Sequence, residues 1–417
     1  MSTIDLVFEG GGAKGMVFIG ALDVLFDEAH HTHGRLLGTS AGAITAMALA
    51  AGYTVPELNA ALTEEDGEGK PIFMSFLGNP PPFDADAIRH SEIRRLLADM
   101  NLPLVPDFIE SRIDDLIATQ LTENVWGRHL FSFVERGGWY SADPFVAWAE
   151  RKMDEGEVNG RQHQFSKLTL KEFFEQTQVE LTLVAADTTW ARVLWLNHRT
   201  APDCPVVWAA RMSMSVPLLW QEVEWLKDWG LYHTWNPSTQ QLEANDISGH
   251  EIVDGGLLSN FPIALFLADQ PEVTAVVGPA HAKNVLGLLI DESLPVPDRP
   301  LRPTSPESAV ASLSTLKRLK RLMDTATGAH DNLAKAVFAS NVVRLPAGGY
   351  GTTQFDMTPP ERDALIDAGR LAMRSFLSSQ SVLEGARAEG APAEPSFAVS
   401  DTSASIANAA ALSALGQ

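Results

Sequence analysis

Cysteine is almost absent: Cys204 is the only one in 417 residues. That excludes an intrachain disulfide and a cysteine-rich zinc site, and it fits a reducing compartment. Positive charge is also scarce, with 31 Lys and Arg against 53 Asp and Glu and a formal net charge of -22. An acidic surplus disfavours non-specific nucleic-acid binding and gives no general attraction to anionic membranes. Long apolar runs are missing too. The most apolar stretch, "AGAITAMALAAGYTV" at 41–55, is too short and too rich in Ala, Gly and Thr to span a bilayer, and reads as a buried helix. The N-terminal "MSTIDLVFEGGG" has no basic segment before an apolar one and enters a strand pattern at once. The expectation is a cytoplasmic protein that touches a membrane only from outside.

What is present is a core-forming hydrophobic fraction of 45%, normal for a globular chain. "IDLVFE" at 4–9 reads as a strand and residues 15–29 as a helix, with Val17, Ala21, Val24 and Leu25 on one face. "GRLLGTS" is a second strand, and "AGAITAMALAAG" a helix closed by Gly52. Strand, helix, strand, helix implies a parallel sheet and an α/β fold. Residues 56–165 change character, with amphipathic patterns at 84–101 and 143–156. They read as a largely helical insertion or lid. Strand patterns return at 179–189, 192–198, 251–256, 285–291 and 341–347, and a helix follows with Thr358 as N-cap and Pro359 at its first position. Residues 1–380 read as a single domain. Residues 381–417, rich in Ala, Ser, Gly and Glu, read as a disordered tail in which "SIANAAALSAL" is the one helix-compatible stretch.

The first strand runs into Gly10-x-Gly12-x-x-Gly15. A dinucleotide site requires an acid at the end of the second strand, but that strand ends in Ser40. A P-loop requires Lys-Ser/Thr after the last glycine, and Lys14 precedes it. No cofactor is therefore expected. What ends the second strand is Gly38-Thr39-Ser40-Ala41-Gly42, a Gly-x-Ser-x-Gly between strand and helix. This is the setting of a nucleophile elbow, in which a tight turn lifts the serine out of the sheet. Acyl transfer passes through an anionic tetrahedral intermediate. Backbone N–H groups of Gly10, Gly11 and Gly12 are suited to stabilise it, at about 2.7–4 kcal/mol per donor. A serine also needs a base. "VDGGLLSNFP" at 253–262 offers Asp254 at a strand end, followed by Gly255-Gly256 that lets another backbone approach. A carboxylate within reach of Ser40 can take its proton directly.

Together these blocks resemble the patatin-like phospholipase family. The order matches: Gly10-Gly11-Gly12-Ala13-Lys14-Gly15, then Gly38-Thr39-Ser40-Ala41-Gly42, then Asp254-Gly255-Gly256. "LTLVAADTTWARVLWL" and the Arg211, Ser213, Pro217 segment are also similar to family blocks. The resemblance covers about 4–290 and 341–375. It implies a three-layer α/β/α patatin-like fold, a catalytic domain over 1–380, and lipid acyl hydrolysis by a Ser40–Asp254 dyad, without histidine or metal. The oxyanion hole would come from Gly10 to Gly12. The implied partners are phospholipid or lysophospholipid substrates and transient membrane-surface contact, with any protein activator unidentified. Lys14 stands where many members carry Arg, so the cation is kept but not its planar fork. Glu9 receives no role.

Other features carry less. His30, His31 and His33 in "HHTHG" read as a solvated loop rather than a metal site. Trp208, Trp220, Trp225, Trp229 and Trp235 cluster in sequence and read as packing before an acyl pocket or a lipid interface. "LSTLKRLKRLMDTA" at 313–326 reads as an amphipathic surface helix before a lipid-binding one. Three rivals stand beside the hydrolase: an acyltransferase with the same elbow, a Ser–His–Asp hydrolase using His281 or His330, and a non-catalytic lipid-binding protein on this fold.

Overall fold

The computed structural model describes residues 2–99, 124–155, 157–158, 161–280, 284–300, 337–385 and 401–416. His281, His330 and the 313–326 stretch lie outside the described residues. Eight strands form one sheet: β1 (Thr3–Phe8), β2 (Thr32–Thr39), β3 (Leu181–Asp187), β4 (Arg192–Leu196), β5 (Val223–Glu224), β6 (Glu251–Asp254), β7 (Asn284–Pro295) and β8 (Val342–Gly348). β8, β7, β1, β2 and β3 are parallel neighbours in that order. β4 and β6 both pair antiparallel with β3, and β5 pairs antiparallel with β6.

Strand alternation divides the sheet into two buried faces. Ile4, Leu6 and Phe8 of β1 join Leu286, Leu288 and Ile290 of β7 on one face. That face carries α1 (Val17–Asp23), α2 (Ala41–Ala50), α3 (Val206–Ser213) and α4 (Pro359–Gly385). Val7, Val285 and Leu289 point the other way, against the short helices Ala264–Leu267 and Pro271–Val277 and α5 (Asp401–Leu415). Helices on both faces give the expected three-layer α/β/α architecture, and burial on both sides explains why the central strands read as continuous apolar runs.

The register around β3 positions the site. β4 occupies one edge of β3 from Leu183 to Asp187. A strand has two edges, so β2 and β6 share the other. β2 runs parallel to β3 with Thr39 opposite Val184. β6 runs against it with Asp254 opposite Ala185. The C-terminal ends of β2 and β6 therefore meet end to end on adjacent residues of β3, and the chain turns away from the sheet at both.

Two expectations are corrected. The 56–165 region is mostly helical where described, but part of it packs into the body of the protein instead of lying over it as a lid. Phe76, Phe145, Trp148 and Met153 belong to the main core, and Phe76 and Phe145 meet edge to face at 5.3 Å. The helix Asp143–Asp154 carries Phe145, Trp148 and Ala149 at helical spacing, and that stripe buries against the body of the protein. A small separate cluster forms only around Ile88 and Phe131. The second correction concerns the C-terminus. α4 extends to Gly385, and α5 docks on the second face with Ala407 and Ala411 fully buried. Asn408 Nδ2 donates to Asp269 Oδ1 at 2.8 Å, and Asp269 N donates back to Asn408 Oδ1 at 3.0 Å. Alanines lack bulk, but their small size lets a helix sit close to its neighbours. Residues 386–400 lie outside the described residues.

Candidate active site

Ser40 sits between β2 and α2 with φ 53° and ψ -118°, a conformation that L residues rarely adopt and that costs roughly 1–3 kcal/mol. Its neighbours make the turn sterically feasible. A methyl group on Gly38 would stand 2.2 Å from Gly42 O, and one on Gly42 would stand 2.5 Å from Phe8 O. Gly15 plays the same part across the turn, where a methyl group would stand 2.8 Å from Ala41 Cβ. Ser40 carbonyl opens α2, accepting from Ala43 N at 2.9 Å. Ser40 N donates to Ser213 Oγ at 3.0 Å, and Ser213 Oγ donates to Val184 O at 2.6 Å.

Asp254 ends β6 at 3% exposure. Its backbone N donates to Ser215 O at 2.9 Å. α3 and the two residues after it thus hold both strand ends, Ser40 through the Ser213 side chain and Asp254 through the Ser215 backbone. Arg211 braces this corner: it bonds Ser215 Oγ and donates to Gln221 O at 2.8 Å. Asp254 Oδ1 accepts from Gly256 N at 2.7 Å. A methyl group on Gly255 would stand 2.4 Å from Val184 O, so the turn after β6 closes on the strand that sets the register. Burial pushes the Asp254 carboxyl up from 3.8 to about 7, against the smaller opposing effects of the Ser40 hydroxyl and the Gly256 N–H. The Ser40 hydroxyl is therefore close enough to favour the carboxylate, yet Oδ2 has no formed hydrogen bond.

The glycine loop runs beside this pair. A methyl group on Gly10 would stand 3.2 Å from Ser40 Cβ. Gly12 has φ 55°, and a methyl group there would stand 2.2 Å from Thr352 O. One expectation narrows here: Gly10 N donates to Asn260 O at 3.2 Å, so it is not available to an oxyanion. Among the described residues no hydrogen bond uses the Gly11 or Gly12 N–H. Lys14 is buried and pairs with Glu292 on β7, while its own N–H donates to Gly11 O at 3.2 Å. It pins the loop from outside and is not aimed at Ser40 in any described contact. Glu9, which had no role in the sequence, accepts from Ile290 N and from Asn260 Nδ2.

The remaining candidates separate from this centre. His31 Nδ1 bonds Ser2 Oγ at 2.8 Å and His33 Nδ1 bonds Gly34 O at 3.3 Å. Among the described residues no group of three or more His, Cys, Asp or Glu could hold a metal ion. Trp220, Trp225 and Trp229 are buried in the main core, and Trp208 packs on Trp229 at 5.4 Å, so packing accounts for them. No described helix is long and apolar enough to cross a membrane.

A family model for patatin-like phospholipase matches residues 6–267. The protein YqhO of Bacillus subtilis (strain 168), itself uncharacterised, is 26% identical over 385 residues, covering 90% of this chain and 98% of YqhO. Among solved structures, VipD from Legionella pneumophila is 18% identical with a TM-score of 0.46, covering 91% of this chain and 67% of VipD. The type III effector ExoU of Pseudomonas aeruginosa is 16% identical with a TM-score of 0.34, and this chain spans about half of it, 53%. The elbow, the glycine loop and the Asp254 turn all lie inside the stretch that the family model matches, and the chain belongs to the patatin-like phospholipase family.

Proposed function

We propose that this lipid hydrolase cleaves fatty-acyl esters of phospholipids or lysophospholipids with Ser40 as nucleophile and Asp254 as general base. Ser40 Oγ attacks the ester carbonyl carbon as Asp254 Oδ2 takes its proton. The oxyanion forms against the Gly11 and Gly12 amides. Collapse of the intermediate breaks the ester C–O bond, the leaving alcohol receives the proton from Asp254, and an acyl-Ser40 ester remains. Water then attacks that ester with Asp254 again as base, releasing the fatty acid and returning a proton to Ser40 Oγ. No histidine is required, because a carboxyl held near 7 already has the proton affinity a general base needs at neutral pH.

One observation carries this reading: β2 and β6 end against adjacent residues of β3, with Ser40 and Asp254 at the two ends. The test is fatty-acid release from mixed phospholipid micelles, with chelator present, by wild type, Ser40→Ala and Asp254→Asn. Release by wild type alone is expected. Release that survives Ser40→Ala would overturn the mechanism, and a wild type that binds micelles without turnover would make this a lipid-binding protein.

A further inference from the structure

The glycine loop owes its shape to a residue outside both catalytic motifs. Asn260 lies six residues after Asp254 on a loop tied to the elbow: Thr39 Oγ1 donates to Ser259 O at 3.3 Å, and Ser259 N donates to Gly255 O at 2.8 Å. Its backbone carbonyl takes the Gly10 N–H at 3.2 Å. Its side-chain Nδ2 donates to Gly10 O at 3.2 Å and to Glu9 Oε1 at 3.2 Å. Two acceptors face Nδ2, which fixes the orientation of the amide, since Oδ1 in that place would be repelled by both. Glu9 is anchored in turn, its other oxygen accepting from Ile290 N on β7. Oδ1 points across the gap between the motifs, where methyl groups on Gly10 and Gly256 would stand 2.3 and 2.9 Å from it.

The consequence follows from peptide planarity. There are no cis peptide bonds among the described residues. In a trans peptide the C=O and the following N–H point in opposite directions. Holding Gly10 O against Asn260 therefore fixes the direction of Gly11 N–H, turning it away from Asn260. A glycine–glycine peptide has no side chain to resist a flip, so the restraint must come from outside. We propose that Asn260, buttressed by Glu9, is a positioning residue that locks the Gly10–Gly11 peptide so that Gly11 N–H faces the oxyanion site. Asn260 touches no reacting atom. It rests on the hydrolase reading given above for its effect on rate, and on geometry alone for its effect on the loop.

The test uses the full chain in two measurements. Steady-state hydrolysis of a soluble short-chain p-nitrophenyl ester is compared for wild type, Asn260→Ala, Asn260→Asp, Glu9→Ala and the Glu9→Ala/Asn260→Ala double variant, with Ser40→Ala as blank. Loss of one oriented donor predicts a fall in kcat of about 10²–10³. In the alanine variants KM should stay within about twofold and the pH at half-maximal rate should not move. The double variant should be no slower than Asn260→Ala, because both residues act through one clamp. Asn260→Asp keeps the shape and the backbone carbonyl but replaces the donor by an acceptor. It decides the matter if Asn260→Ala does not fold. A kcat within about threefold of wild type in Asn260→Asp, or multiplicative losses in the double variant, overturns the proposal. Crystal structures of wild type and Asn260→Asp test the clamp independently of turnover. The Gly10 carbonyl should leave its wild-type orientation, and an unmoved peptide overturns the clamp. A wild type that cleaves no ester, beside a peptide that flips, would sink the hydrolase reading alone.

Discussion

Asp254→Asn is expected to abolish turnover while stabilising the fold at alkaline pH. The magnitude comes from the carboxyl's displacement from 3.8 to about 7. That difference is worth about 4 kcal/mol. The sign is that of an acid whose folded-state value is raised. Below about pH 4 both folded and unfolded chains carry the protonated form and nothing is lost. Between about 4 and 7 the unfolded chain ionises first, and stability declines until the folded carboxyl ionises as well. Above 7 wild type bears the whole cost, which Asn does not. Asn brings its own penalty, because Oδ2 has no formed hydrogen bond and an amide placed there wastes a donor, at roughly 1–3 kcal/mol. The net gain at pH 8 is about 2 kcal/mol. With an unfolding entropy near 2.1 cal/mol/K per residue, this raises Tm by about 2 °C in a chain of this length. Calorimetry of both proteins at pH 4, 6 and 8 tests it. The gain should be present at pH 8 and absent or reversed at pH 4. In wild type, kcat/KM should rise about tenfold per pH unit up to about 7 and then level off. A variant less stable than wild type at pH 8 than at pH 4, or a rate that levels off near pH 4, would refute the assignment of a buried, proton-holding base.

Ser40→Gly should be about 1 kcal/mol more stable than Ser40→Ala in urea denaturation, because glycine alone adopts φ 53° and ψ -118° without strain; equal midpoints would mean the elbow stores none. Gly38→Ala puts a methyl group 2.2 Å from a backbone oxygen of Gly42. It should cost about 3 kcal/mol, read as a lower denaturation midpoint even with Ser40 intact. Phe145→Ala removes a fully buried ring from the main core and should cost about 3–5 kcal/mol. A loss under 1 kcal/mol would return the 56–165 region to the status of a separable lid.

The parallel centre was legible because strands buried on both faces write long apolar runs, as in β3, where all seven residues are buried. The elbow was legible because only glycine tolerates backbone oxygens at the distances found around Gly38 and Gly42, and that demand leaves a mark in sequence. Weaker signals concealed the rest. β5 has two residues and pairs on one edge, and the hairpin Tyr232–Asn236 with Gln241–Asn245 is largely polar and exposed on its second strand. α5 reads as low complexity because its alanines fit closely instead of filling space. Ser215 and Asn260 were hidden for another reason. Each acts through a hydrogen bond to the backbone of a residue distant in sequence, and backbone partners leave no trace in residue type.

The meeting of β2 and β6 on one edge of β3 also bears on when the protein becomes active. Ser40 and Asp254 are 214 residues apart, 254 minus 40, and they come together only when both strands have found their register on β3. A slip of one residue in either strand would turn its side chains to the opposite face. Pairings over such separations form late, after local helices and hairpins. A chain still emerging from the ribosome, or one compact but misregistered, would therefore carry both residues proposed for catalysis without bringing them together. Recovery of esterase activity during refolding should accordingly lag behind the return of helical signal.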